Sequence, residues 1–237
     1  MKGAFDVVLY SPAEQLERHA WVDRVLRTLE RLAVLTGNRP FTGYRGNREV
    51  TVEHKRSAIE ELIEANLNRE GGQVFAELGS IFGVGITFPG GDPEVADVTA
   101  SFRVGNTKPR FHNGVIVEFV RGITPAQAKE FFESIKPIWK PYWGCIASDE
   151  NADARLDDDL MYEQRLHWYT CYGPDRVRDL DFAVLERDPQ AVVERQADGG
   201  VVVMLGAQWQ SAEKLLEAQR RLEPLFFRSA PGAAGRR

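Results

Sequence analysis

The side chains able to do acid-base or covalent chemistry in this chain are few and scattered. Four histidines (His19, His54, His112, His167) and two cysteines (Cys145, Cys171) are spread over 237 residues. No pair of histidines has the His-x-x-x-His or His-Glu-x-x-His spacing that sets two imidazoles on one helix turn around zinc. A thiol nucleophile at Cys145, with His112 or His167 as its base, would need a local signature, and the neighbours Trp143, Gly144 and Ile146 supply none. Two thiols in a chain of this size read instead as reduced packing groups. The run 79–85 (Gly-Ser-Ile-Phe-Gly-Val-Gly) is not followed by Gly-Lys-Ser/Thr, so it lacks the parts of a phosphate cradle; such glycines mark a bulge or close packing. No catalytic residue, metal-ligand set or cofactor is expected.

The carboxylates are distributed differently. Residues 147–163 hold seven acids (Asp149, Glu150, Asp153, Asp157, Asp158, Asp159, Glu163) against one base, Arg155, a local charge of -6 in a chain whose total is -5. Three consecutive aspartates cannot converge on one point from a regular helix or strand, and the run lacks the alternating acids, central Gly and distal Glu of an EF-hand. What such a segment can do is create a negative field that speeds encounter with a basic partner. A solvated loop that only aids solubility is the competing explanation. Aromatic side chains flank the segment: Trp139, Tyr142 and Trp143 before it, Tyr162, Trp168, Tyr169 and Tyr172 at its end and after it. Tyr and Trp favour interface hot spots, but strand alternation must turn most of them inward. The expected partner-binding set is therefore Asp149, Glu150, Asp153, Asp157, Asp158 and Asp159 with Tyr142, Trp143 and Tyr162.

Four amphipathic helices would frame these residues. Ser11-Pro12-Ala13-Glu14 reads as an N-cap with proline at the first helical position, ahead of a stripe of Val22, Val25, Leu26, Leu29, Leu32 and Ala33 that ends at Gly37-Asn38. Thr124-Pro125-Ala126-Gln127 repeats that chemistry before Ala128, Phe131, Phe132 and Ile135, with Pro137 and Pro141 as stops. Ser57 opens a shorter helix carrying Ile59, Leu62, Ile63 and Leu67; Ser211 opens the last, before Pro224. Strand character marks 5–10, 50–53, 81–88, 98–104, 115–120, 143–147, 166–170 and 201–205. The connections within 81–120 are too short for crossover helices, which predicts an antiparallel meander. The expected fold is α+β, a mostly antiparallel sheet with amphipathic helices packed on one face. It forms a single domain over 1–227, followed by a disordered basic tail at 228–237.

Composition narrows the function. With 43% hydrophobic and 27% charged residues the chain is ordinary globular protein. Its negative charge argues against a nucleic-acid surface. An acid among the first apolar residues, with no apolar h-region and small-residue cleavage site after it, argues against a secretory signal, and no run approaches a membrane span, so the chain is expected in the cytoplasm without membrane contact.

Trp143-Gly144, the acidic segment and then Trp168-Tyr169-x-x-Tyr172-Gly173-Pro174 resemble, in layout, the immunity protein 52 family of bacterial polymorphic toxin systems. The likeness spans about residues 5–222 and includes an N-terminal strand and helix, a central meander and a proline-interrupted helix leading to Trp-Gly. It implies an antidote that binds a restriction-endonuclease-like toxin, whose basic DNA-binding cleft would suit the negative segment. It carries over no catalytic or binding residue. The alternative is an enzyme of unrecognised type, with a cleft built from Cys145, His112 or His167 and the acids.

Overall fold

Two hydrophobic periods run through the sequence, and the backbone follows both. The computed structural model describes residues 3–45, 48–86, 97–148, 150–151, 165–206, 208–209 and 211–227. The chain is α+β, and every strand pairing described is antiparallel. By its contacts the chain divides into two compact units, Met1–Lys140 and Pro141–Arg237. The tail 228–237 lies outside the described residues.

In the first unit the elements are β1 (Gly3–Ser11), α1 (Arg18–Leu35), β2 (Phe41–Arg45), β3 (Arg48–Val52), α2 (Arg56–Ala65), β4 (Arg69–Glu70), β5 (Gln73–Val74), β6 (Leu78–Ile86), β7 (Asp97–Asn106), β8 (Asn113–Ile123) and α3 (Pro125–Trp139). Six of these strands lie in the order β1-β8-β7-β6-β2-β3, and β4 and β5 form a separate pair. The expected meander is β6, β7 and β8. Along β7 the buried Val98, Ala100, Phe102 and Val104 alternate with half-exposed Thr99, Ser101 and Arg103, the period-2 signature of a sheet covered on one face. Phe102 lies opposite Phe82 of β6 and Val115 of β8. On that same face Trp139 of α3 stacks on Phe102 at 6.2 Å, and Phe131 meets Phe119 edge-on at 5.4 Å. Trp139 Nε1 also donates to Thr28 Oγ1 of α1 at 2.9 Å, tying the two helices together.

Helix starts divide into those that local chemistry settles and those that tertiary structure takes over. Thr124 forms the full capping box: its Oγ1 accepts the Gln127 N–H at 3.2 Å, and Gln127 Oε1 accepts the Thr124 N–H at 2.9 Å. Ser11 does not cap α1. It completes β1 opposite Asn113 and donates its hydroxyl to the Trp139 carbonyl, so α1 begins only at Arg18 with no side-chain cap. Ser57 lies inside α2, whose N-cap is Lys55. Pro137 does not end α3, which continues to Trp139 and closes at Lys140 in the left-handed region (φ 45°).

The second unit contains β9 (Trp143–Ser148), β10 (Tyr169–Tyr172), α4 (Pro174–Val177), α5 (Ala183–Glu186), β11 (Ala191–Arg195), β12 (Val201–Leu205) and α6 (Ala212–Phe226), with the strands ordered β11-β12-β10-β9. Every residue of β9, β10 and β12 is buried, as a continuous apolar run such as Val201-Val202-Val203-Met204-Leu205 requires. Ser211 caps α6 as expected, accepting the Lys214 N–H, while Pro224 sits within the helix. Tyr172, Phe182 and Phe226 make three mutual edge contacts with ring centroids 5.3 to 5.8 Å apart. Cys145 lies opposite Thr170, and Cys171 opposite Gly144. The two thiols thus point to opposite faces, and neither is in a disulfide.

Candidate interaction site

A side chain can meet a partner only if the fold leaves it accessible. Of the expected binding set, Asp149, Asp153, Asp157, Asp158, Asp159 and Tyr162 lie outside the described residues. Glu150 is exposed and Tyr142 is half-buried. Trp143 is fully buried in β9, opposite Tyr172, and meets His167 edge-on with ring centroids 6.0 Å apart. Its indole is a core group and leaves the candidate surface, because β9 is covered on both faces. Trp139, Trp168, Tyr169 and Tyr172 are buried as well, which leaves Tyr142 as the partly accessible aromatic before the acidic segment.

The structure supplies the footing of that segment, which spacing did not reveal. Asn151, at its start, and Gln219 of α6 are both buried and form a reciprocal amide pair: Asn151 Nδ2 donates to Gln219 Oε1 at 2.9 Å, and Gln219 Nε2 donates to Asn151 Oδ1 at 3.0 Å. The second Nε2 hydrogen of Gln219 goes to the carbonyl of Leu166, just past the segment's far end. One helix turn on, the Glu223 carboxylate accepts the Leu166 N–H at 2.7 Å. The Asn151 N–H in turn donates to Ser148 Oγ, the last residue of β9, at 3.3 Å. Residues 151 and 166 are therefore fastened to one amide side chain of α6. The sequence signal was faint but present: Gln219 and Glu223 fall among the positions that carry Leu215 and Leu222, and a polar residue there must have a buried partner.

The residues weighed for chemistry lie elsewhere. Cys145 is fully buried; His167 is buried, and its backbone N–H donates to Thr170 Oγ1 at 3.0 Å. Burial pushes the Tyr172 phenol well above its usual range, offset in part by the Arg176 guanidinium. His112, in the first unit, stacks on Tyr10 with ring centroids 3.8 Å apart. Burial, with the positive charge of Arg103 second, brings its pKa down to about 4. Among the described residues no group of three His, Cys, Asp or Glu side chains is placed to hold a metal ion, and no helix is long and apolar enough to cross a membrane.

No family model matches the chain. No curated protein matches either. Among solved structures, the fold is similar to that of the Pseudomonas aeruginosa T6SS protein PA0821, at a TM-score of 0.56 and 14% identity over 93% of this chain and 74% of that one.

Proposed function

We propose that this chain is an immunity protein, a binding protein and not an enzyme, that neutralises a cognate bacterial toxin by occluding a basic surface, with a restriction-endonuclease-like nuclease as the partner. The observation that carries this reading is the concentration of charge. The first unit has eighteen basic and eighteen acidic residues, while the second has twelve and seventeen, and the excess falls in 147–163. A like-signed field confined to one segment raises the rate and selectivity of encounter with an oppositely charged surface. The footing of that segment on Gln219 supports the same reading, since a chain anchored at both ends loses less freedom on binding than a loose one. The fold it shares with a protein of a T6SS supports a place among secretion-system-associated proteins.

The test is binding to the product of the adjacent reading frame. The two chains are co-expressed, purified together, and followed by surface plasmon resonance and by nuclease activity on duplex DNA. Complex formation with loss of nuclease activity is the expected result. Replacing Asp157, Asp158 and Asp159 with Asn should slow association at low ionic strength and narrow the difference between low and high salt. Association that is as fast and as salt-dependent as in the parent protein removes the acidic segment from the interface.

A further inference from the structure

Loop 107–112, between β7 and β8, is longer and more firmly held than its connecting role requires. Two antiparallel neighbours can be joined by two residues; here six are used, and two fully buried asparagines fix them. Asn106 Oδ1 accepts the Lys108 N–H at 3.1 Å, and its Nδ2 donates to the carbonyls of Lys108 at 3.1 Å and Phe111 at 2.8 Å. Asn113 Oδ1 accepts the Asn106 N–H at 2.8 Å, and its Nδ2 donates to the carbonyls of Asn106 at 2.9 Å and Pro12 at 3.0 Å. Both amides thereby use each of their hydrogens. The Tyr10–His112 stack closes the base of the loop.

What this frame holds up is exposed. Lys108, Pro109 and Arg110 face solvent, and Phe111 is 48% exposed. From 103 to 113 the chain carries Arg103, Lys108 and Arg110 with no acid. A single exposed apolar residue is unremarkable. An aromatic ring directly after two exposed cations, Lys108 and Arg110, on a backbone already fixed before any encounter is the composition and the preorganisation of an interface anchor.

We propose that loop 107–112 is a preformed docking knob for a second protein surface, acidic and with an apolar recess that takes Phe111. Charge selects the class of partner. The cations of the loop call for carboxylates, and the unit that bears them is neutral overall, whereas a nucleic-acid surface gathers basic residues over a whole face. This surface is independent of the acidic segment and opposite to it in sign.

The test uses the full ¹⁵N-labelled chain and a synthetic peptide alternating Glu and Leu, with a Lys-Leu peptide and a single-stranded thymidine oligomer as comparators. At low salt the Glu-Leu peptide should shift the amides of 107–112 saturably. Phe111→Ser and Arg110→Glu should each weaken its binding by about five-fold or more, with the thermal unfolding midpoint unchanged. Asp157→Asn, Asp158→Asn and Asp159→Asn together should leave it intact, which separates this proposal from the fate of the toxin-binding reading. Absence of saturable shifts in the loop, indifference to Phe111→Ser, or tighter binding of the oligomer than of the acidic peptide each overturns the proposal.

Discussion

Asn151 and Gln219, sixty-eight positions apart, exchange two hydrogen bonds in a buried setting, and Gln219 gives its remaining hydrogen to the Leu166 carbonyl. One side chain on α6 thus joins residues 151 and 166, between which five of the seven acids of 147–163 fall in the sequence. No neutral residue of another shape reproduces this, because the arrangement needs one acceptor and two donors on one planar group.

Gln219→Leu should therefore destabilise the protein by roughly 2–6 kcal/mol, since it leaves the Asn151 amide and the Leu166 carbonyl buried without their partner at about 1–3 kcal/mol for each group. Gln219→Glu should be nearly as damaging, as a carboxylate donates to neither. Urea unfolding gives the answer; an unchanged midpoint for both variants would mean that the amide pair contributes nothing.

Gly79 and Gly83 of β6 should respond differently to alanine. Gly79 has φ of +70°, and a Cβ there would lie 2.2 Å from the Val104 carbonyl oxygen. Gly79→Ala should cost more than about 2 kcal/mol, from backbone strain and the contact together. At Gly83 the nearest atom to an added Cβ is the Ala100 oxygen at 3.9 Å, so Gly83→Ala should be neutral or stabilising by about 0.5 kcal/mol. Equal losses in thermal unfolding would contradict the assignment of strain to Gly79.

The folded protein should lose stability on mild acidification through His112. Its folded pKa of about 4 lies below the usual 6.5 of an imidazole, so between these values the unfolded chain binds a proton that the folded chain does not. Linkage then makes stability fall as pH drops through that window, and leaves this contribution whole above about 6.5. Because carboxylates titrate over part of the same range, the measurement is a difference: the urea midpoint of His112→Gln should decline less between pH 7 and pH 4.5 than that of the parent. Parallel declines would show that His112 is not coupled to folding.

Cys145 and Cys171 should stay reduced under an oxidant that joins neighbouring thiols. Their side chains point to opposite faces of adjacent strands, beyond the reach of disulfide geometry without a shift of register. Both should react with a thiol reagent only after unfolding. An intramolecular disulfide formed in the native protein, detected by mass, would show the register to be wrong.

Much of the fold could be read from residue order. The caps at Thr124 and Ser211 rest on interactions between residues three positions apart, and the meander of β6, β7 and β8 shows as alternation within each strand; both signals are written directly in the sequence. Ser11 shows the limit of that logic. Its Ser-Pro-Ala-Glu context is as good a cap as Thr124 has, yet the ladder to Asn113 and the bond to the Trp139 carbonyl, 128 residues away, keep it in a strand.

The sequence by itself determined the helix and strand periods, the α+β class and the concentration of negative charge in 147–163, because composition, spacing and local capping depend on near neighbours. Tertiary structure decided which aromatic residues are buried, Trp143 among them, how Asn106 and Asn113 brace the loop that carries Phe111, and that residues 151 and 166 meet at Gln219. Each of these rests on groups far apart in sequence whose burial makes an unpaired polar atom costly, a constraint that exists only once the chain has closed around them.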